Sequence, residues 1–89
     1  MQRLLFTEHA LEAMRRRRLL VRSVALVARS PEQVLSVRPG RVIAQSICQM
    51  DGPPGVYLLR VVLDLRTDAA EVVTAYRTTS IGRYWRGVS

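Results

Sequence analysis

The chain has 89 residues, a hydrophobic fraction of 48% and a formal net charge of +7. This length predicts a single domain over residues 1–89, and the short apolar runs exclude a membrane span, which needs about 18 to 20 apolar residues. The lone Cys48 excludes an internal disulfide and a zinc site of the usual spacing. We therefore expect a cytoplasmic protein with no cofactor, no metal and no membrane partner. The high positive charge is typical of proteins that bind nucleic acid or an acidic protein.

The N-terminal third of the sequence predicts two helices. Thr7 is a good N-cap for a first helix over "EHALEAMRRRR". The sequence "LLVRSVALVARS" repeats the helical period and ends before Pro31, which cannot continue a helix. The two helices meet near Arg18, and no Gly or Pro between them marks this boundary.

From Val34 the pattern changes to strands. The strand sequences are "VLSVR", "RVIAQSICQM", "VYLLRVVLDLR" and "EVVTAYRT", separated by the turns "PG", "DGPPG" and "TDAA". They predict an α+β domain with two N-terminal helices packed on a four-stranded antiparallel meander sheet. The pattern also allows a short N-terminal strand over Arg3 to Phe6 and one C-terminal helical turn.

The predicted strand register brings two arginines together. If residues 67–70 form the last loop, Arg60 lies opposite Arg77, and the loop "DGPPG" places Ser46 beside Arg60. Like charges directly opposite each other destabilise a sheet, so the register predicts an anion between the two guanidinium groups. The alternatives, that both arginines extend into water or that a loop carboxylate neutralises them, stay open.

Other candidate residues lie outside this pair. His9 falls in the first turn of the first helix, where the positive end of the helix dipole favours the neutral form that acts as a base. The tail joins Arg83 to Tyr84 and Trp85, a combination that stacks bases and binds phosphates. A structural histidine and an aromatic lid over the core are the alternatives.

Three segments carry a resemblance to a known family. The sequences "FTEHALEAMRRRRL", "VALVARSPEQV" and "VVTAYRTTSIGRYW" resemble the small bacterial domain-of-unknown-function family four-two-five-eight. The resemblance implies a fold related to the RelE/ParE and BrnT toxins, whose members include ribonucleases neutralised by an antitoxin. It therefore implies a toxin-antitoxin-type system and, if the protein is an enzyme, a metal-independent endoribonuclease.

The family motifs map onto individual positions of this chain. His9 matches the family histidine, Arg17 the arginine before its glycine, and Pro31 its second-helix stop. The closing motif is matched by Thr74, Tyr76, Arg77, Ile81, Tyr84 and Trp85. Arg18 replaces the family glycine and Leu20 the family serine, so a usual C-cap and a usual N-cap are both absent. We expect a strained turn at this junction, or a longer first helix.

Two functions are compatible with these residues. In a toxin-like endoribonuclease, His9 would be the base, Arg60 and Arg77 would bind the phosphate, and Tyr76 or Tyr84 would stack or act as the acid. RNA or a ribosome would be the target of such a toxin-type protein. In a non-catalytic binding module, a basic groove would instead bind a small acidic antitoxin-like protein, another protein or a nucleic acid backbone. Arg17 is a further candidate phosphate contact, with a solvated helix end as the alternative. A homodimer joined through a strand edge is compatible with both.

Overall fold

The computed structural model describes residues 3–87, which form one mixed five-stranded sheet and three short helices. In chain order the elements are β1 (Arg3–Phe6), α1 (Glu8–Arg16), α2 (Val21–Arg29), β2 (Gln33–Arg38), β3 (Arg41–Met50), β4 (Gly55–Leu65), β5 (Ala69–Thr78) and α3 (Ile81–Tyr84). The order across the sheet is β1-β5-β4-β3-β2. Strands β2 to β5 pair antiparallel, whereas β1 is parallel to β5.

The prediction of a four-stranded antiparallel sheet is therefore wrong. Residues 3–6 are a fifth strand of the same sheet, and they pair with β5 from Arg3 opposite Ala69 to Phe6 opposite Val72. The physical reason is that β5 would otherwise present unpaired N–H and C=O groups along this edge, and β1 covers part of it. A four-residue apolar run predicts a strand but carries no information about which edge of the sheet it joins.

The main core lies between the helices and one face of the sheet, which we call the helix face. Helix α1 contacts β5, and α2 contacts β3 and β4. The buried core residues are Ala10, Met14, Leu19, Val24, Val27, Ala44, Leu59, Val61, Leu63, Val72 and Ala75. No helix within residues 3–87 is long and apolar enough to cross a membrane.

Thr7 connects β1, α1 and β5. Its Oγ1 accepts a hydrogen bond from the backbone N–H of Ala10 at 2.9 Å, which is the N-cap interaction of α1. The same hydroxyl and the backbone N–H of Thr7 both donate to the carbonyl of Val72, each at 3.2 Å. This residue therefore fixes the direction in which the chain leaves β1 and enters the first helix.

The junction between α1 and α2 is a tight turn at a non-glycine residue. Arg18 has a φ of 56°, and its N–H donates to the carbonyl of Arg15 at 3.2 Å, while Leu19 N–H donates to Met14 at 2.8 Å. These two bonds form a Schellman motif, in which glycine usually occupies the left-handed position. Of the two expectations for this junction, the strained turn is the one observed. Helix α2 then begins after Leu20, whose side chain provides no capping hydrogen bond.

Candidate anion site

The register between β3 and β4 differs from the predicted one by one residue. Gly55 is the first residue of β4 and pairs with Met50, so the connecting loop has four residues, 51–54, rather than the predicted five. As a result Arg60 lies opposite Gln45, and the predicted pairing of Ser46 with Arg60 is wrong. Because side chains alternate along a strand, this shift moves Ser46 to the opposite face.

The predicted pairing of Arg60 with Arg77 is also wrong. Arg60 lies opposite Tyr76, and Arg77 lies opposite Leu59. The register shifts between Val62 and Leu63, where β5 carries one additional residue. This bulge places Tyr76 on the same face as Arg60 and Arg77 on the helix face, so the two guanidinium groups lie on opposite sides of the sheet.

The face that carries Arg60 is the second face of the sheet, which α1 and α2 do not cover. Part of it packs against the C-terminal segment, which contains α3. The side chains of Gln45, Leu58 and Arg60 are buried there, with exposed fractions of 0%, 0% and 6%. Tyr84 and Trp85, in that segment, are half-buried.

The hydrogen-bond and ring-contact partners of Arg60 within residues 3–87 are all neutral. Its Nε donates to Gln45 Oε1 at 2.9 Å, and its Nη1 donates to the Tyr76 hydroxyl at 2.6 Å. The guanidinium carbon lies 4.2 Å from the centroid of the Tyr84 ring and 5.7 Å from that of Tyr76. None of the ion pairs among residues 3–87 involves Arg60. The side chain is thus a buried cation stabilised by hydrogen bonds and cation–π contacts.

The glutamines next to Arg60 attach the C-terminal segment to the sheet. Gln45 Nε2 donates to Gln33 Oε1 at 2.8 Å and to the carbonyl of Tyr84 at 3.2 Å. Gln33 in turn donates to the carbonyl of Arg86 at 2.7 Å and accepts from the N–H of the same residue at 3.1 Å. The chain of hydrogen bonds therefore runs from Arg60 to the backbone of the C-terminal segment, and it orients the Tyr84 ring over the guanidinium.

One nitrogen of Arg60, Nη2, makes no hydrogen bond within residues 3–87. Every buried side-chain nitrogen and oxygen in the described part of the chain has a hydrogen-bond partner. The hydrogen bonds of Arg60 are made by Nε and Nη1, so Nη2 is the nitrogen that reaches solvent. We call this group, consisting of Arg60, Gln45, Tyr76 and Tyr84, the Arg60 site.

Several predicted site residues lie elsewhere. His9 is exposed on α1, in a shallow depression beside Glu12 and Arg15, and α1 covers the helix face. Ser46 Oγ accepts from the backbone N–H of Glu32 at 3.0 Å. The structure therefore does not bring His9 or Ser46 next to Arg60, and the catalytic role of His9 stays a prediction.

Arg17 and Arg77 are both bonded to the backbone. Arg17 Nη1 donates to Thr74 Oγ1 at 3.1 Å and to the carbonyl of Ala75 at 2.9 Å, on the edge of β5 beyond the end of β1. Arg77 donates to the carbonyl of Asp51 at 2.6 Å and to the carbonyl of Gly52. Both arginines thus have structural contacts, and their proposed role in anion binding stays a prediction.

The structure does bring together Arg60 with Tyr76, Tyr84 and Arg83, all of which are predicted site residues. The guanidinium carbon of Arg83 lies 5.5 Å from the centroid of the Tyr84 ring. Gln33 and Gln45 were missed by the sequence analysis. The available signal was an uncharged polar residue in the middle of the apolar strand "RVIAQSIC", because a buried amide requires hydrogen-bond partners.

Within residues 3–87, no group of three His, Cys, Asp or Glu side chains could hold a metal ion. No family model, curated protein or solved structure matches this chain. The resemblance to the toxin-like family therefore stays a prediction, and the functional argument depends on the geometry of the Arg60 site.

Proposed function

We propose that this protein is an RNA-binding domain, acting as the RNA- or ribosome-binding component of a toxin-antitoxin-type system, with a phosphate bound at the Arg60 site. The observation that carries this proposal is Arg60, a residue that is 6% exposed. It has no ion-pair partner among residues 3–87, and its Nη2 keeps some contact with solvent.

The energetic argument concerns the cost of burying a charge. A cation removed from water loses hydration free energy, which a carboxylate usually compensates. At Arg60 the compensation comes from a glutamine oxygen, a phenol and two aromatic rings, all of them neutral. An anion at Nη2 would supply the missing charge through a charge-assisted hydrogen bond, and the guanidinium is already held in a fixed orientation to receive it.

The aromatic surroundings favour RNA over an acidic protein as the source of that anion. Tyr76 and Tyr84 belong to the site, and Arg83, Trp85 and Arg86 lie on the same segment as Tyr84. Bases stack on aromatic rings while arginines bind the adjoining phosphates, which is the usual composition of a single-strand binding surface. The net charge of +7 adds a long-range attraction for a polyanion.

An endoribonuclease activity at this site would use Tyr76 rather than His9. The Tyr76 hydroxyl lies 2.6 Å from Arg60 Nη1, so a phosphate that binds Arg60 would also lie close to this phenol. General acid catalysis requires such a contact between the proton donor and the leaving oxygen. His9, the predicted base, is on the other side of the sheet, so a solvent water would accept the proton of the 2′-hydroxyl while Tyr76 would act as the acid.

The test measures binding of a fluorescent single-stranded RNA to the wild-type protein and to three variants. Arg60→Gln and Arg83→Gln change the site, and Arg22→Gln removes the same charge from an exposed position of α2. We expect Arg60→Gln to weaken binding roughly tenfold or more and Arg83→Gln roughly threefold, with a lower salt dependence. Arg22→Gln should have the smallest effect.

Circular dichroism of each variant shows whether the fold is retained, and Arg83→Gln keeps the test informative if Arg60→Gln does not fold. Equal loss of affinity in the Arg22 and Arg83 variants would contradict a local site. Saturable binding of an acidic peptide without binding of RNA would support the alternative protein partner. Mapping RNA ends after incubation with wild type and Tyr76→Phe decides whether cleavage accompanies binding.

A further inference from the structure

We infer that the bound RNA strand runs along β4 from the Arg60 site to a second phosphate contact at the β2–β3 turn, made by Arg38. This inference rests on the proposed function. It adds a direction and a length to the binding surface, both of which follow from the strand register.

The turn and the Arg60 site lie on the same face of the sheet. Residues 60, 62 and 64 of β4 alternate onto the second face, and Asp64 is paired with Arg41, which itself lies opposite Arg38. The four-residue step from Arg60 to Asp64 corresponds to about 13 Å along the strand. A single strand of a few nucleotides can therefore reach from one end to the other.

A surface depression marks this second end. It is lined by Arg38, Pro39, Gly40, Arg41, Asp64, Leu65 and Arg66. Arg41 is already engaged, because its Nε and Nη2 donate to the two oxygens of Asp64 at 2.6 and 2.9 Å. Arg66 is paired with Glu71 at 3.1 Å. Carboxylates therefore fix the positions of Arg41 and Arg66 in this depression.

Arg38 differs from these neighbours. It lies directly opposite Arg41 in the β2–β3 pair, and none of the hydrogen bonds or ion pairs within residues 3–87 involves its side chain. Two like charges directly opposite each other disfavour the sheet. Asp64 already offsets part of this repulsion. A phosphate bound by Arg38 would reduce what remains and gain a charge-assisted contact.

The charge at this end stays positive over the physiological range. Hydrogen bonding to Arg41 lowers the pKa of Asp64, and the charges of Arg41, Arg38 and Arg66 lower it further. The carboxylate is therefore ionised. The lining of the depression includes three arginines and one carboxylate, so its formal charge is positive. That positive charge complements the charge of the ligand that we propose.

The surface between the two ends is apolar. Ile43 and Val62 form a cross-strand pair on the second face, and both are half-buried. Such a surface is suited to the faces of bases and sugars, whereas an acidic peptide would need cationic groups there as well. The arrangement of cation, apolar pair and cation along β4 therefore fits a short single strand.

The experiment compares a dinucleotide, which is too short to span the two ends, with an RNA of about ten nucleotides. Arg38→Gln should weaken binding of the longer RNA roughly threefold to tenfold and lower the magnitude of its salt slope by about 0.7. The same variant should leave binding of the shorter RNA unchanged, since that RNA occupies only the Arg60 site. Arg22→Gln is the matched control for charge.

The outcomes separate this inference from the proposed function. If Arg38→Gln behaves like Arg22→Gln on the longer RNA, or weakens both lengths equally, the second contact is refuted, while the effects of Arg60→Gln and Arg83→Gln still report on the first. If the wild-type protein binds neither RNA, the proposed function and this inference both fail. A length-dependent loss confined to Arg38→Gln supports the inference.

Discussion

At the scale of single residues, Gln45 has both ends of its amide engaged inside the second face. Its oxygen accepts from Arg60, and its nitrogen donates to Gln33 and to the carbonyl of Tyr84. The side chain has no exposed surface. Removing it would leave the Arg60 Nε donor and the Tyr84 carbonyl without partners in a buried environment.

We therefore predict that Gln45→Ala lowers the free energy of unfolding by about 2 to 4 kcal/mol, since more than one polar group loses its partner and a cavity remains. Urea denaturation followed by circular dichroism measures this change. Gln49→Ala, at an exposed position of the same strand, is the control and should change stability by less than about 0.5 kcal/mol. Similar losses in both variants would contradict the structural role of Gln45.

The importance of Arg60 could be predicted from the sequence, but its partners could not. The sequence "VYLLRVVLDLR" shows a charged residue, Arg60, within an apolar strand. Its neighbours depend on whether Gly55 belongs to the loop or to β4, and on one additional residue near Val73. Each choice changes the register by one residue and reverses the face of every side chain beyond it.

At the scale of elements, the C-terminal end of α1 has glycine-like geometry without glycine. Arg18 adopts a positive φ of 56°, which costs an L-residue about 1 kcal/mol relative to glycine. The motif persists because Leu19, which follows it, is 6% exposed and packs in the core with Met14. The burial of Leu19 thus compensates the backbone cost at Arg18.

We predict that Arg18→Gly raises the free energy of unfolding by about 0.5 to 1 kcal/mol, because glycine adopts this conformation without steric strain. Thermal or urea denaturation provides the measurement. Arg16→Gly, in the last turn of α1, should instead lower stability by up to about 1 kcal/mol, because glycine is a poor helix former. The prediction fails if both substitutions destabilise the protein to the same extent.

Element types were easier to predict than their arrangement. Helices α1 and α2 and all five strands have sequence signals, namely the helical period, the Thr7 cap, Pro31 and the β-branched runs. The parallel pairing of β1 with β5 has none, because it joins segments far apart along the chain. Tertiary contacts decide whether the sheet is a meander or mixed, and no local sequence pattern predicts those contacts.

At the scale of the whole molecule, the loss of stability at acid pH depends on few carboxylates, since the chain has only seven. Hydrogen bonding to Arg41 lowers the pKa of Asp64 in the folded state. A lowered pKa means that the unfolded chain binds the proton more tightly than the folded protein does. The stabilisation from this pair is therefore present above the unfolded pKa and is lost as pH falls through the folded pKa.

We predict that Asp64→Asn is less stable than the wild type at neutral pH, and that this difference shrinks as the pH falls from about 5 to about 2. Urea denaturation at a series of pH values measures both curves. Asp68→Asn, in the exposed turn before β5, is the matched control for the loss of one carboxylate. If the difference in unfolding free energy between the wild type and Asp64→Asn does not change with pH, the contribution of this ion pair is refuted.

The position of β1 has a consequence for biosynthesis. Residues 3–6 are made before the other four strands, yet they pair with residues 69–72, so the sheet cannot be completed until β5 has left the ribosome. Until then the apolar side chains of β1 and α1 have no strand to cover them, and a nascent chain in this state offers binding surface to chaperones. Completion of the sheet should therefore be a late folding step that waits for β5.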